Sequence, residues 1–488
     1  MNAARWPGRT VGGLSSGTLI PGLLAAGILG GLLVEQPKYG IVFACAACAT
    51  PLVLSSGMSV RGWAIALALT GHLVSGPLYV HGLVSSSFSL LLDILSLVAF
   101  GLLAFQPQSP ARPWRAAVLA LAALIVLEAF NPVLPSIGYG ISGARPIVVP
   151  LLLLVAVGSG RLRRRDEQVL IALSVIGWVV NVVLAGRQLI FGFTAVELHW
   201  IESTRATFLV GEQVRLLGAT RTNQDFAFMV AIAFPAVCAC ALARAKSLRW
   251  RIGFGVLTLA TLGVLVGSLV RSGLVGGVVG ALAVAVVMAR DRLARRRLLL
   301  SGVALALVIW LVATFGLGLV LAHNQAQTVE TRVASVFEPG QDYSFQQRET
   351  QVWPHVVHEI GIYPLGAGAG SAGPLSQTEE DAPLGSLVPD NGYLLMAVQF
   401  GIPGLLLFLL ALVLLASELW QGARRGKLAA AAGFGAVVAL CVAMMTGNFV
   451  SLVSPSCVWA VLVGLGLRSA TATVPEQLET TKSVAAYA

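Results

Sequence analysis

The chain has 488 residues, of which 57% are hydrophobic and only 11% charged, and its mean hydropathy is +0.84. A soluble domain carries about 25% charged residues, so a soluble globular fold is excluded and the composition is that of a polytopic membrane protein. The formal net charge of +10 is a topology signal, because the positive charges are unevenly shared between alternate loops, and it argues nothing for nucleic acid.

Apolar runs long enough to cross a bilayer, about 17–25 residues each, lie at 15–34, 38–56, 61–80, 86–105, 114–130, 145–159, 168–190, 225–244, 252–270, 273–289, 298–320, 391–416, 428–447 and 450–467. None alternates with period two, so a closed β-barrel is excluded and the expected fold is all-α, with about 12–14 transmembrane helices. Residues 1–467 form one transmembrane domain in this reading. The polar tail 468–488 reads as a disordered cytoplasmic extension. The basic start MNAARWPGRTVGG precedes the first apolar run without a small-residue cleavage motif, which predicts an uncleaved first span. Six cysteines, Cys45, Cys48, Cys238, Cys240, Cys441 and Cys457, all fall in apolar spans. Cys45 and Cys48 form a C-x-x-C with no second ligand pair, so they read as small packing residues.

Grouping alternate loops places 23 of the 32 Lys and Arg on one side, the arginine runs at 161–165 and 290–297 included. That side is expected to be cytoplasmic, with both termini on it. The outer side keeps nine: Lys38, Arg145, Arg187, Arg205, Arg215, Arg221, Arg271, Arg332 and Arg348. Its polar elements are Asn131 to Pro146, Gly192 to Asp225, Leu321 to Asp390 and the tip VGSLVRSGLVGG around Arg271. Lysine would serve equally for snorkelling to headgroups, yet eight of these nine are arginine. Arginine is preferred where a planar fork must hold phosphate oxygens, which points to a phosphate-bearing substrate. Blander roles stand beside this one. Arg145 and Arg187 can snorkel; Arg271 can cap helix ends at its tip; Arg205, Arg215 and Arg221 can pair with Glu202, Glu212 and Asp225. Asp93 and Glu128 lie in apolar spans, either protonated, paired to an arginine, or lining an ion path.

In the long loop, Ser344-Phe-Gln-Gln347 reads as a capping box opening a helix that carries Arg348. Pro354 is a kink or early stop, and Gly361 with Tyr363-Pro364 ends the helix. Gly366, Gly368 and Gly370 form either a flexible turn or a close backbone approach to a ligand. His355 and His358 lack the carboxylate spacing of a zinc site.

The stretches RVASVFEPGQDYSFQQRETQVW, IYPLGAGAG and DNGYLLMAVQFGIPGLLLF, with SLVRSG, TRTNQDFAFMVAIAFP and EAFNP…GISGARP before them, are similar to the O-antigen ligase / O-antigen polymerase family of bacterial membrane glycosyltransferases. The likeness covers roughly residues 125–415. It implies a fold related to the C-type glycosyltransferases, an undecaprenyl-pyrophosphate-linked glycan donor, a glycan or lipid-linked acceptor, and no metal or other cofactor. It also implies roles for Arg271, Arg348 and Arg215 or Arg221 as phosphate ligands. Asn391 matches the asparagine of the family's His-Asn pair, and Asp390 stands where the histidine is usual. That departure leaves the acceptor open and favours repeat-unit polymerisation over ligation. Asp390 is the first candidate base, with His355, His358 and Glu349 as rivals and a mechanism without a protein base as a further possibility. Arg145, Asn391, Tyr393, His355 and His358 complete the expected substrate contacts. A transporter using Asp93 and Glu128 as a proton-coupled pair is the rival from another class, but its midplane polar sites and inverted repeats are not evident in the sequence.

Overall fold

The computed structural model describes residues 57–84, 87–104, 112–159, 162–204, 209–210, 213–244, 248–289, 343–377 and 381–471. The expected spans 15–34, 38–56 and 298–320, Arg205, Arg332, the loop from 321 to 342 and the end of the tail lie outside these residues. Each of the other eleven expected spans coincides with a helix: α1 Val60–Val80, α2 Ser87–Ala104, α3 Pro113–Glu128, α4 Ile137–Ser159, α5 Arg164–Phe191, and, after the short α6 Ala195–Thr204, α7 Asn223–Arg244, α8 Leu248–Gly267 and α9 Arg271–Met288. Beyond the long loop come α10 Tyr343–Gln347, a π-helical turn Arg348–Val352 and α11 Trp353–Ile362, then α12 Gly392–Arg424, α13 Leu428–Ala443 and α14 Val453–Thr471. Seven of these helices are long and apolar enough to cross a membrane, so the protein is an all-α polytopic membrane protein. A two-residue hairpin, Leu209–Val210 against Gln213–Val214, is the one departure among the described residues.

Small residues set the closest helix contacts, as expected where lipid supplies no hydrophobic drive between helices. Gly276 and Gly280 of α9 meet Ala439, Ala443 and Gly435 of α13, with less than 3 Å between each glycine's side-chain position and a facing backbone oxygen. Any side chain at these glycines would force the two helices apart.

The bundle has two chemically distinct ends. At one, Asp166 at the start of α5 accepts from Ser59 N (2.9 Å), Ser59 Oγ (2.7 Å) and Arg163 N (2.8 Å). Arg112 pairs with Glu418 at 2.8 Å, and Arg468 pairs with Glu167. These joints gather the basic ends of α1, α3, α5, α12 and α14. The opposite end collects the polar segments 129–136, 192–204, 213–222, 268–270, 363–377, 381–391 and 444–452.

There the chain dips back between helices. The segment from Gly366 to Gly373 is buried throughout. Its place is made by a break in α12: Gly401 has φ +68°, and Pro403 has no N–H to give to Gln399. The two carbonyls this break releases are taken by the loop, Ala367 N–H bonding Val398 O (2.9 Å) and Gly368 N–H bonding Gln399 O (3.0 Å), while Ile402 N–H turns to Pro364 O (2.9 Å). The Gln399 side chain finishes the joint, accepting from Gly370 N and donating to Ala372 O. Asn131 donates to Gly366 O, and Tyr139 to Gly370 O. Gly366, Gly368 and Gly370 therefore have positive φ because the chain packs on itself: Gly370 lies against Gly143 of α4, and Gly366 against the Gln399–Gly401 backbone. They form a buried turn whose backbone is hydrogen-bonded to α12, Asn131 and Tyr139.

Candidate functional site at the loop end of the bundle

Arg348 opens the π-helical turn, in which Trp353 N–H reaches back five residues to Arg348 O. The helical stretch begins at Tyr343, one residue before the expected cap, and runs on to Ile362. Pro354 does not stop it; the wider π turn just before the proline accommodates the missing donor. Val356 is fully buried, whereas Glu349, His355 and His358 face outward. The helix is pinned to the turn before α12 by Trp353 Nε1, which donates to Pro389 O at 3.0 Å, and Phe345 packs edge-on against the same indole. His355 Nε2 lies 3.9 Å from Glu359 Oε1.

The same turn delivers Asp390, whose φ of +47° is in the left-handed region that few non-glycine residues adopt. Its Oδ2 receives both Arg348 Nε (3.1 Å) and Arg348 Nη2 (3.0 Å). The first candidate base and the loop arginine thus hold each other. Asn391 is spent on structure: Oδ1 caps α12 by accepting from Tyr393 N and Leu394 N, and Nδ2 donates to Met445 O. Tyr393 directs its hydroxyl to Cys441 O at 2.7 Å.

The turn after α13 touches the starts of both α12 and α9. Gly392 N–H bonds Met444 O, and two residues beyond Met445 the side-chain position of Gly447 lies 3.1 Å from Ser272 Oγ. Arg271 is half-buried as the first residue of α9, after a tight turn in which Leu269 has φ +55° and Ser268 Oγ accepts from Val270 N. Gly273 of α9 lies against Ala227 near the start of α7, and Phe228 stacks edge-on with Phe449. Asn223 is fully buried with neither side-chain atom bonded among the described residues, and Asn448 Oδ1 is in the same condition. Buried amides without protein partners mark places for water or ligand.

The segment ahead of α7 supplies Arg215, half-buried, and Arg221, exposed with its guanidinium 4.5 Å over the Tyr79 ring. Leu216 to Thr220 are buried and held by side-chain amides: Gln188 Oε1 accepts from Leu217 N and Gly218 N, and Asn181 Oδ1 from Ala219 N. Arg187 does not snorkel. It forms a buried pair with Glu197 (2.6 Å), which also accepts from Gln188 Nε2 and Thr194 N. Burial pushes the His81 imidazole below its usual range, against the pull of Glu197 and with the push of Arg187. Arg145 Nε lies 3.0 Å from Asp93 Oδ2 in α2, and Glu128 accepts from Asn131 at 2.7 Å. Both acids of the apolar spans therefore have structural partners. No group of three His, Cys, Asp or Glu among the described residues could hold a metal ion.

Gln399, Asn181 and Gln188 were not singled out by the sequence reading. Their signal was available as lone amides inside apolar runs.

A search of curated proteins finds none that matches this chain. The region from within α8 to the first half of α12 holds Arg271, Arg348, the buried glycine turn and Asp390. This same region, residues 256–409, is similar to the family whose model is described as O-antigen ligase.

Proposed function

We propose that this enzyme of the O-antigen ligase type transfers glycan repeat units, at the outer face of the cytoplasmic membrane, from an undecaprenyl-pyrophosphate-linked donor to an acceptor hydroxyl, building a polymer. The observation that supports the reading is that the matched region contains both Arg271 and the Arg348–Asp390 pair, and that the turn at 444–447 contacts both the start of α12 and Ser272, the neighbour of Arg271.

The chemistry asks for neutralisation of a pyrophosphate leaving group, and positioned guanidinium groups can supply it. Arg271 and Arg348 fill this role, with Arg215 or Arg221 as the third cation. The acceptor oxygen forms a bond to the anomeric carbon. The bond from that carbon to the phosphate oxygen breaks, and its electron pair leaves on the lipid pyrophosphate. Asp390 takes the acceptor proton late in the displacement. A single displacement inverts the anomeric centre. His355, His358 and Glu349, exposed on the loop helix, are placed to meet the glycan and are the alternative bases. Asn391 and Tyr393 keep their neighbours in position through the hydrogen bonds that engage their polar atoms, and Arg145, paired through Nε with Asp93, is the further expected substrate contact.

The description of the matched family favours a second reading, ligation of a finished glycan to a different acceptor. Proteoliposomes supplied with an undecaprenyl-pyrophosphate-linked repeat unit discriminate the two. A ladder of longer lipid-linked chains supports polymerisation. Transfer that occurs only when a separate acceptor is added supports ligation. A donor left unchanged under every acceptor condition overturns both.

A further inference from the structure

We infer that the Asp390 carboxylate occupies the seat of a donor phosphate oxygen on Arg348, so that donor binding displaces Asp390 and frees it to act on the acceptor. This rests on the glycosyltransferase reading and adds an order of events to it.

Three observations carry the inference. First, one oxygen, Asp390 Oδ2, takes two donors of the guanidinium, Nε at 3.1 Å and Nη2 at 3.0 Å. That edge of the fork is the one that would grip a phosphate, and a carboxylate oxygen there mimics a phosphate oxygen. Second, the pair is only partly buried, with side-chain exposures of 22% for Arg348 and 31% for Asp390. An ion pair so open to water is weak and yields to a dianionic ligand. Third, the pieces that carry the two partners are held by contacts other than the ion pair. Arg348 sits where the helix widens into its π turn, and Asp390 sits at φ +47° between Pro389 and the cap Asn391. Trp353 on Pro389 and Asn391 on Met445 keep both pieces in place when the pair opens. Exchange then needs side-chain rotation and no refolding.

In this scheme Asp390 and the donor phosphate compete for one cation. Without donor, the carboxylate is held on Arg348 through Oδ2. With donor, Arg348 holds the phosphate, and the released carboxylate takes the proton from the acceptor hydroxyl as that oxygen bonds to the anomeric carbon. The competition also guards against premature use of the base when no leaving group is present.

The exchange is tested with the full chain in nanodiscs, using undecaprenyl pyrophosphate as the binding probe. Asp390→Asn suits the test because asparagine tolerates the left-handed backbone and removes the competing charge. This variant is expected to bind the probe about two- to fivefold more tightly than the native protein, the range set by a partly exposed ion pair. Its kcat is expected to fall, so that KM for donor and kcat decrease together. A merely structural role for Asp390 would weaken binding instead. Arg348→Gln is expected to lose affinity, and Asp390→Asn added to it is expected to restore none. Unchanged or weaker binding by Asp390→Asn with a native melting temperature overturns the exchange, as does failure of the native protein to bind the probe. If Asp390→Asn does not fold, the seat itself is tested: Arg348→Lys, which lacks the fork, is then expected to weaken probe binding, and unaltered affinity overturns the proposal. Tighter binding by Asp390→Asn without glycan transfer from any donor upholds the exchange and refutes the catalytic reading.

Discussion

A guanidinium and an ammonium carry the same charge, but only the guanidinium can hold two phosphate oxygens in one plane. This difference gives Arg271 its prediction. Arg271→Lys keeps the charge at the start of α9 and loses the fork, and removing one such stabilising donor costs on the order of a hundredfold in rate. Steady-state transfer from a lipid-linked donor checks it, with membrane insertion and melting temperature expected to stay native. Near-normal polymer length in Arg271→Lys would take Arg271 out of the site. The sequence could name the arginines but could not sort them, since their partners come from other elements. Arg145 finds Asp93, and Arg187 finds Glu197, where snorkelling was the local expectation. Arg348 finds Asp390 across 42 residues. Charge at a residue is a local property; whether that charge is already neutralised is a tertiary one.

The helices were legible for the same reason the ion pairs were not. A run of apolar residues long enough to span satisfies its backbone internally, so each helix announces itself without reference to any neighbour. The buried turn at 366–373 follows the opposite rule. Its N–H and C=O groups are satisfied by α12 at Val398 and Gln399 and by the Gln399 side chain, none of which a local reading can see. The clue was a pattern: Gln399, then Gly401 and Pro403 inside an apolar span, a lone amide beside a helix breaker. Asn181 and Gln188 play the corresponding part for the buried segment ahead of α7. Gly401→Ala tests this joint. A methyl group there would stand 2.3 Å from Leu365 C and 2.5 Å from Pro364 O, at a φ of +68°. The strained backbone alone costs about 1–3 kcal/mol, and the contact adds to it. The expected result is a lower melting temperature in detergent and faster protease cleavage between residues 363 and 377. A variant as stable and as resistant as the native protein would show that the turn does not depend on the break in α12.

Across the whole molecule, the charge split read from the loops and the joints seen between helices describe one polarity. Arg112, Arg163 and Arg468, assigned to the cytoplasm by the positive-inside rule, meet acids or capping partners at a common end. Arg215, Arg221, Arg271 and Arg348 lie with the polar loops at the other. A site built around a lipid pyrophosphate needs that second end to face outward, because its acceptor glycan lies outside. Orientation is therefore a premise of the proposed function, and it can be tested without any substrate. Gln377 is exposed beside the buried turn, and Arg425 is exposed after α12, so cysteines at these two positions report on opposite ends. In intact spheroplasts, Gln377→Cys is expected to react with a membrane-impermeant maleimide, while Arg425→Cys reacts only after lysis. The native cysteines at 238, 240, 441 and 457 are buried or half-buried, and labelling of the native protein, with all six cysteines, sets the background. The reverse labelling pattern would turn the arginine end toward the cytoplasm. It would leave the fold and the Arg348–Asp390 pair intact and remove transfer to an external acceptor as their purpose.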